Sequence, residues 1–331
     1  MNEPIILGIE TSCDETAVAV LKGNKTILSN LIVSQIDIHK AFGGVVPEIA
    51  SRKHIEYLYK LTEKALVEAK ITIEDVSAVA VTYGPGLAGA LLIGLNFAKG
   101  LSLNYNIPLI KVNHLMGHIY ANFLSYPDLE MPFIVLLVSG GHTMIIKVDD
   151  YNSFEVIGNT RDDAVGEAFD KVARIVGLGY PGGPAIEKTA ENGNPIYDFP
   201  KPMMNKGYDF SFSGLKTAVL YFLKNNPESK IEDVACSFQK TVSEILTEKV
   251  TKASKENNIK NIVIAGGVAA NKVLRKSFDG FKNEFNIYYP DLIYCTDNAA
   301  MIARAGYEKY IRNDFGDMSA DAVPNLSLKE I

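Results

Sequence analysis

The sequence predicts an α/β protein written twice, with two similar lobes. Three observations predict it. Strand-type apolar runs alternate with helix-compatible runs, the mark of α/β layers. The strand, polar turn, strand, strand order that opens the chain recurs from Phe133. The strand, small-residue turn and helix units that follow the first meander recur in the same order after the second.

The elements follow in order. "IILGIE" (5–10), the turn "TSCDET" (11–16), "AVAVLK" (17–22) and "NKTILSNLIVS" (24–34) read as a three-strand meander, from β-branched content and Asn/Gly turns. "PEIASRKHIEYLYKLTEKALVEA" (47–69) reads as a helix whose apolar positions exceed one buried stripe, which suits a partner face. "VSAVAVT" (76–82) is a strand meeting "YGPGLAG" and a helical run. "IPLIKV" (107–112) is a strand entering a helix that begins "NHLMGH". In the second copy the meander is "FIVLLV" (133–138), the turn "SGGHT" (139–143), "MIIKVDD" (144–150) and "SFEVIGN" (153–159). Then come "IKNIVIA" (259–265), the turn "GGVAAN", a helix from Lys272, the strand "FNIYYPDLIYC" (285–295) and the helix "TDNAAMIARAGYEKY" (296–310). The predicted lobes are 1–128 and 129–331. The second is longer, so residues 160–255 hold an extra helical subdomain. Ligands in such sheets collect at the carboxyl ends of strands, beside turns and helix N-termini.

Composition narrows the function. With 331 residues, 47% hydrophobic and 22% charged, the chain is long enough for two cores. No apolar run reaches the roughly 20 residues of a membrane span. The opening "MNEPIILGIETS" lacks a basic start and an apolar h-region, so export is not predicted. Cys13, Cys236 and Cys295 form neither a disulfide framework nor a CxxC pair, which fits a reducing cytoplasm. A net charge of −6 argues against a protein coated for nucleic acid. Any RNA has to meet a local basic face or a partner.

Four small-residue turns, "SGGHT", "YGPGLAG", "GYPGGP" (179–184) and "AGGVAAN" (265–271), let backbone N–H groups approach an anion. Together they favour a nucleotide site, although neither GxGxxG nor GxxxxGK[ST] is present. "TSCDET" carries Asp14 and Glu15, fit to hold a metal-bound nucleotide or take a proton; Cys13 beside them reads as a small buried side chain. In "RDDAVGEAFDKVARIVGL" (161–178), Glu167 and Asp170 lie within one helical turn and either bind ribose hydroxyls or form a solvated stripe with Lys171 and Arg174. In "FSFSGLKTAV" (210–219), Ser213 reads as a helix N-cap and Lys216 as a reach toward phosphate.

The sharpest feature is "NHLMGH". His114 and His118, two of five histidines, stand one helical turn apart on one face, within reach of one ion. The Glu of H-E-x-x-H is missing, so a zinc-peptidase mechanism fails. The repeat supplies a third ligand. His114 stands at a strand-to-helix junction whose counterpart is "CTDNAA", with Asp297. If the lobes face each other, Asp297 points at the histidines from the second lobe. Two imidazoles and a carboxylate with open positions suit Fe(II), Zn or Mn.

Taken together, "GIETSCDETAVAV", "FGGVVPEIASRKH", "YGPGLAGALLIG", "NHLMGH", "VSGGHT", "GEAFDKVAR", "GLGYPGGP", "FSFSGLKT", "SFQKTV", "GGVAANKVLR" and "TDNAAMIA" resemble the bacterial TsaD family, the tRNA N(6)-adenosine threonylcarbamoyltransferases. The resemblance runs from Ile5 to Tyr310, with the motifs in family order. It implies the duplicated actin/hexokinase/Hsp70-like fold, with two lobes around a nucleotide cleft. It implies transfer of the threonylcarbamoyl group from threonylcarbamoyl-adenylate to the exocyclic amine of the adenosine just 3′ of the anticodon, in tRNAs reading ANN codons, with release of AMP. Carried over by motif, His114, His118 and Asp297 hold one divalent metal, iron being the implied ion. Leu137, Val138, Ser139, Gly140 and Gly141 line the donor site; Asp170, Gly183, Glu187 and Asn271 hold the ribose and base; Asp14 and Glu15 are candidates for the proton of the attacking amine. The implied partners are tRNA, a TsaB-type paralogue and a TsaE-type ATPase, with the 47–69 helix as a partner face. Met116 departs from relatives, which often carry an acidic residue there, and the tail beyond Asn313 is poorly matched. The rival readings are a small-molecule kinase or O-carbamoyltransferase of the same fold, or a non-catalytic scaffold; the histidine pair with Asp297 counts against the kinase and the scaffold.

Overall fold

A computed structural model describes residues 3–328. The chain forms two compact units, Met1–Leu129 with Pro290–Ile331, and Glu130–Tyr289.

The first unit begins with β1 (Ile5–Glu10), β2 (Glu15–Lys22) and β3 (Thr26–Ser34), then α1 (Ile36–Lys40) and α2 (Pro47–Ala69). It continues with β4 (Ala78–Gly84), α3 (Ala88–Tyr105), β5 (Leu109–Asn113), α4 (His114–Tyr120) and α5 (Asn122–Ser125). The sheet order is β3-β2-β1-β4-β5, antiparallel in the meander and parallel from β1 through β4 to β5. Both faces of the central strands are covered, so β1 and β4 are almost continuously apolar. Helix α2 starts at a proline, whose missing N–H costs nothing there, and stops at Lys70 in the left-handed region. Its Leu58, Leu61 and Ala65 meet Leu7, Ile9, Val18 and Val20 of the sheet, together with Leu95 of α3.

The second unit holds β6 (Phe133–Val138), β7 (Thr143–Asp150), β8 (Ser153–Asn159), α6 (Val165–Ile175), α7 (Gly182–Ala190), α8 (Ser213–Asn225) and α9 (Ile231–Glu256). It is completed by β9 (Asn261–Ala265), α10 (Lys272–Ser277) and β10 (Asn286–Tyr288). Its sheet order, β10-β9-β6-β7-β8, has the connectivity of the first. Helices α6 to α9, between β8 and β9, occupy the stretch expected to carry the insertion.

The chain then returns to the first unit through α11 (Leu292–Cys295) and α12 (Ala299–Ile311). This departs from the expected single lobe 129–331. Small residues explain the return. Ala299 and Ala300 pack on Ala17 and Ala19. A methyl group on Gly8 would lie 2.4 Å from the Ala299 carbonyl oxygen, and one on Gly306 would lie 2.4 Å from the Ala80 Cβ. No bulkier pair fits so close a helix-to-sheet approach. The strand expected over 285–295 is also shorter: β10 ends at Tyr288, and Pro290 precedes the short α11. Proline has no N–H to donate to a ladder.

Candidate metal centre and small-residue turns

Helix α4 begins where β5 ends, and Asn113 joins them. Its side-chain Oδ1 accepts the N–H groups of Leu115 (2.8 Å) and Met116 (3.3 Å), capping the helix. Every residue of α4 is buried, so packing restrains both histidine rings. The rings meet edge to face, centroids 4.7 Å apart.

Asp297 comes from the turn before α12, where Asn298 caps the helix by accepting the Met301 N–H. Asp297 Oδ1 lies 3.1 Å from His118 Nε2 and 3.5 Å from His114 Nε2. All three candidate ligands therefore belong to the first unit, which corrects the expectation that Asp297 reaches the histidines from the second lobe. The docking of α12 on the first sheet decides this.

The donor set fits a metal. One ligand atom from each residue lies within 4.8 Å of the others. Both ring nitrogens of His118 are buried without a hydrogen-bond partner, because the 3.1 Å approach to Asp297 is not aligned as a hydrogen bond. A buried imidazole left so is costly unless a cation takes its lone pair. His114 is prepared on its other side. Its Nδ1 lies 3.1 Å from both Glu10 Oε2 and Ser12 Oγ. A carboxylate only accepts, so Nδ1 carries the proton and Nε2 is left to coordinate.

Glu10 is one residue that sequence reasoning missed. It is fully buried at the end of β1, accepting the Ser12 N–H at 2.5 Å and the Thr82 hydroxyl at 2.6 Å. Burial alone would raise its pKa, but His114 and the Thr82 hydroxyl hold it below the ordinary value. Burial opposes the charge on His114, and the Asp297 and Glu10 carboxylates overcome it, raising its pKa to about 9. The available signal was a carboxylate ending an otherwise apolar strand.

Asp14 and Glu15 stand in the same unit. Asp14 Oδ2 is buried without a partner. Glu15 accepts the Ser34 hydroxyl at 3.2 Å, and burial with repulsion from Asp297 and Asp14 pushes its carboxyl up to about 9. The same causes hold the Cys13 thiol well above its usual range, so it packs as a small side chain. His54 of α2, not singled out from sequence, holds this turn: Nε2 donates to the Cys13 carbonyl at 2.9 Å and Nδ1 accepts from Thr16 at 2.8 Å.

The small-residue turns divide by unit. In the first, "YGPGLAG" is partly closed: the Gly86 N–H donates to Pro324 and the Leu87 N–H to Ser12, so these two amides are not available for the expected phosphate contact. In the second, Leu137 and Val138 end β6 fully buried. Ser139 follows, its Oγ accepting the His142 N–H at 3.2 Å. A methyl group on Gly140, Gly141 or Gly183 would meet nothing within 4 Å, so these turns leave open backbone. Asp170 Oδ1 accepts the Gly182 N–H at 2.7 Å, and burial raises its pKa. Glu187 Oε1 accepts the Lys272 N–H at 2.9 Å. Asn271 caps α10 through the Leu274 N–H and donates to Gln239 Oε1 at 2.8 Å. Asp170, Glu187 and Asn271 thus tie α6, α7 and α10 to one another around open glycines.

Other sequence readings shift. Glu167 pairs with Lys171 at 2.6 Å, the solvated alternative. Lys216 reaches Asp163 at 3.4 Å and not an open space for phosphate. Ser213 opens α8 without capping it; Asp162 accepts the Phe212 and Ser213 N–H groups and both the Ser211 and Ser213 hydroxyls.

Residues 26–304 match the family described as TsaD, tRNA N6-adenosine threonylcarbamoyltransferase. Proteins carrying that name from Kosmotoga olearia and Thermosipho melanesiensis are each 58% identical over 98% of this chain, covering 98% and 100% of their own lengths. Among solved structures, full-length HypF in a phosphate- and nucleotide-bound form superposes with a TM-score of 0.64 at 16% identity; the match spans 94% of this chain and 47% of HypF. The Acidaminococcus fermentans (R)-2-hydroxyglutaryl-CoA dehydratase component A gives a TM-score of 0.57 at 17% identity, over 93% of this chain and 99% of that one. These two likenesses bear on the fold alone, and agree with a duplicated actin/hexokinase/Hsp70-like architecture.

Proposed function

The chain belongs to the TsaD family of tRNA N6-adenosine threonylcarbamoyltransferases, and from that premise we propose that it transfers threonylcarbamoyl from threonylcarbamoyl-adenylate to the exocyclic amine of the adenosine 3′ of the anticodon, in ANN-decoding tRNAs, releasing AMP. The observation that carries the reading beyond family membership is the buried His114–His118–Asp297 set, which kinase chemistry does not need. The small-molecule kinase and O-carbamoyltransferase alternatives are not favoured by relatives that share the transferase name over nearly their whole length.

In this reading His114, His118 and Asp297 hold one divalent metal, iron foremost, with zinc and manganese suited to the same donors. An ion held by these three residues would supply Lewis acidity for the transfer. Glu10 fixes the His114 tautomer and ring by taking the Nδ1 hydrogen bond. Asp14, with one buried oxygen unpartnered, is the candidate to receive the amine proton; Glu15, with its pKa near 9, is protonated at neutral pH and serves as a donor. On the second unit, the open turns at Ser139–Gly141 and Gly183 present backbone N–H groups to the adenylate, with Leu137 and Val138 beneath. Asp170, Glu187 and Asn271 flank its ribose and base.

A tRNA substrate supports a cytoplasmic site of action. Separately, no helix among the described residues is long and apolar enough to cross a membrane. The acidic chain needs help with a polyanion, which supports action with a TsaB-type paralogue and a TsaE-type ATPase. Ile55, Tyr59 and Val67 stand exposed on α2, the face for such a partner. The test is incubation with threonylcarbamoyl-adenylate and unmodified tRNA, with and without partner proteins. Threonylcarbamoyl-adenosine and AMP in equal amounts are expected; AMP without modified tRNA in every combination overturns the reading.

A further inference from the structure

The segment after α12 lies beyond the residues matched to the family, and no motif falls in it. It is nonetheless fastened to the first unit along its length. The Gly316 N–H donates to the Leu109 carbonyl at 2.8 Å, at the start of β5. The Lys99 ammonium reaches the Ala320 carbonyl at 2.5 Å. The Val323 N–H donates to Tyr83, near the end of β4, at 2.8 Å, and Pro324 accepts the Gly86 N–H at 3.0 Å. Ala320, Leu326 and Leu328 are buried. Gly84 admits this approach: a methyl group there would lie 2.1 Å from the Val323 carbonyl oxygen.

The last fastening is at the metal helix. Asn113 Nδ2 donates to the Ser327 carbonyl at 3.4 Å. The same side chain caps α4 through Oδ1, which fixes which end of the amide points where. One residue thus couples the C-terminal segment to the helix carrying His114 and His118. A second link runs through β4. The segment clamps Tyr83 and Gly84, and the neighbouring Thr82 donates to Glu10, which orients His114.

We propose that residues 315–328 form a strap that holds the metal-binding helix in place, with Asn113 as the positioning residue through which it acts. The proposal rests on the metal reading given above. Its mechanism is preorganisation: ligands held at fixed spacing lose less freedom on binding the ion.

Two proteins test it, a chain ending at Asp314 and full-length Asn113→Asp. The aspartate keeps an oxygen to cap α4 and removes the amide that ties Ser327. Zinc affinity is measured by competition with a chromogenic chelator, and amide exchange is followed at Leu115 and Met116. Both variants should bind zinc about ten to a hundredfold more weakly, the usual loss when the shell supporting metal ligands is disturbed. Asn113→Asp should lose affinity with Leu115 and Met116 still protected, an effect that capping alone does not produce. The added negative charge opposes that loss, so the sign is decisive. Wild-type affinity in Asn113→Asp, or in a folded truncated chain, overturns the proposal. If truncation unfolds the protein, Asn113→Asp decides. If the wild-type chain binds no divalent ion, the metal reading fails by itself. The strap then stands on faster exchange at Leu115 and Met116 in the truncated chain, and falls if exchange there is unchanged.

Discussion

At the scale of single residues, the candidate metal centre depends on a carboxylate outside its donor set. Glu10 holds the Nδ1 side of His114 from inside the sheet. Glu10→Gln keeps the shape and drops the charge, so it should weaken metal binding about ten to a hundredfold while the protein stays folded; chelator competition beside a thermal unfolding curve checks both. Asp297→Ala removes one of the three proposed ligands, and purified protein should then hold well under one metal per chain by elemental analysis. The titration of His114 adds a pH dependence. Its folded pKa, about 9, lies above the ordinary 6.5, so the protonated ring stabilises the metal-free fold. That contribution is complete below about pH 6.5 and is lost as pH rises through about 9. The metal needs the deprotonated ring, so its affinity should climb with pH up to about 9 and then level off. Isothermal titrations at stepped pH check this; a flat profile contradicts it. The histidine pair and Asp297 were legible from spacing and repeat. Glu10, Ser12 and His54 were not, because each acts on a residue far away in the chain, and a one-dimensional pattern carries no such distance.

At the scale of elements, periodicity and turn chemistry located most strands and helices, and α2 has the expected bounds. Termini were harder, because a cap need not be local. Helix α8 has no cap in its own sequence; Asp162, from the segment before α6, accepts four hydrogen bonds at its start. Asp162→Ala should leave the start of α8 uncapped and cost about 0.5–2 kcal/mol, the usual loss for a helix cap. A lower urea midpoint with unchanged slope is the expected result. The glycine turns teach the same lesson. "YGPGLAG" and "SGGHT" look alike as strings, yet the Gly86 N–H of the first is taken by Pro324 of the C-terminal segment, while Gly140 and Gly141 of the second leave open backbone.

At the scale of the whole molecule, the duplicated sheet order was readable, but the assignment of segments to units was not. Residues 290–331 belong with the first unit because α12 covers one face of its sheet. Residues 1–129 expressed alone should therefore expose Ala17, Ala19 and Gly8 and bind a hydrophobic dye. Supplying 290–331 on the same chain through a linker should restore cooperative unfolding. The contiguous segment 130–289, with its own sheet and core, should fold alone; circular dichroism melts of the three proteins check this.

By itself the sequence determined the α/β class, the duplication, the histidine pair and the family. All follow from local periodicity and from the spacing of motifs along the chain. Only the tertiary structure decided that Asp297 shares a unit with His114 and His118, that Glu10 stands behind His114, and that the C-terminal segment reaches Asn113. Those outcomes depend on which surfaces are flat and small enough to approach closely, as Gly8, Gly84 and Gly306 are. Close approach is a property of two packed surfaces, which neither segment displays alone.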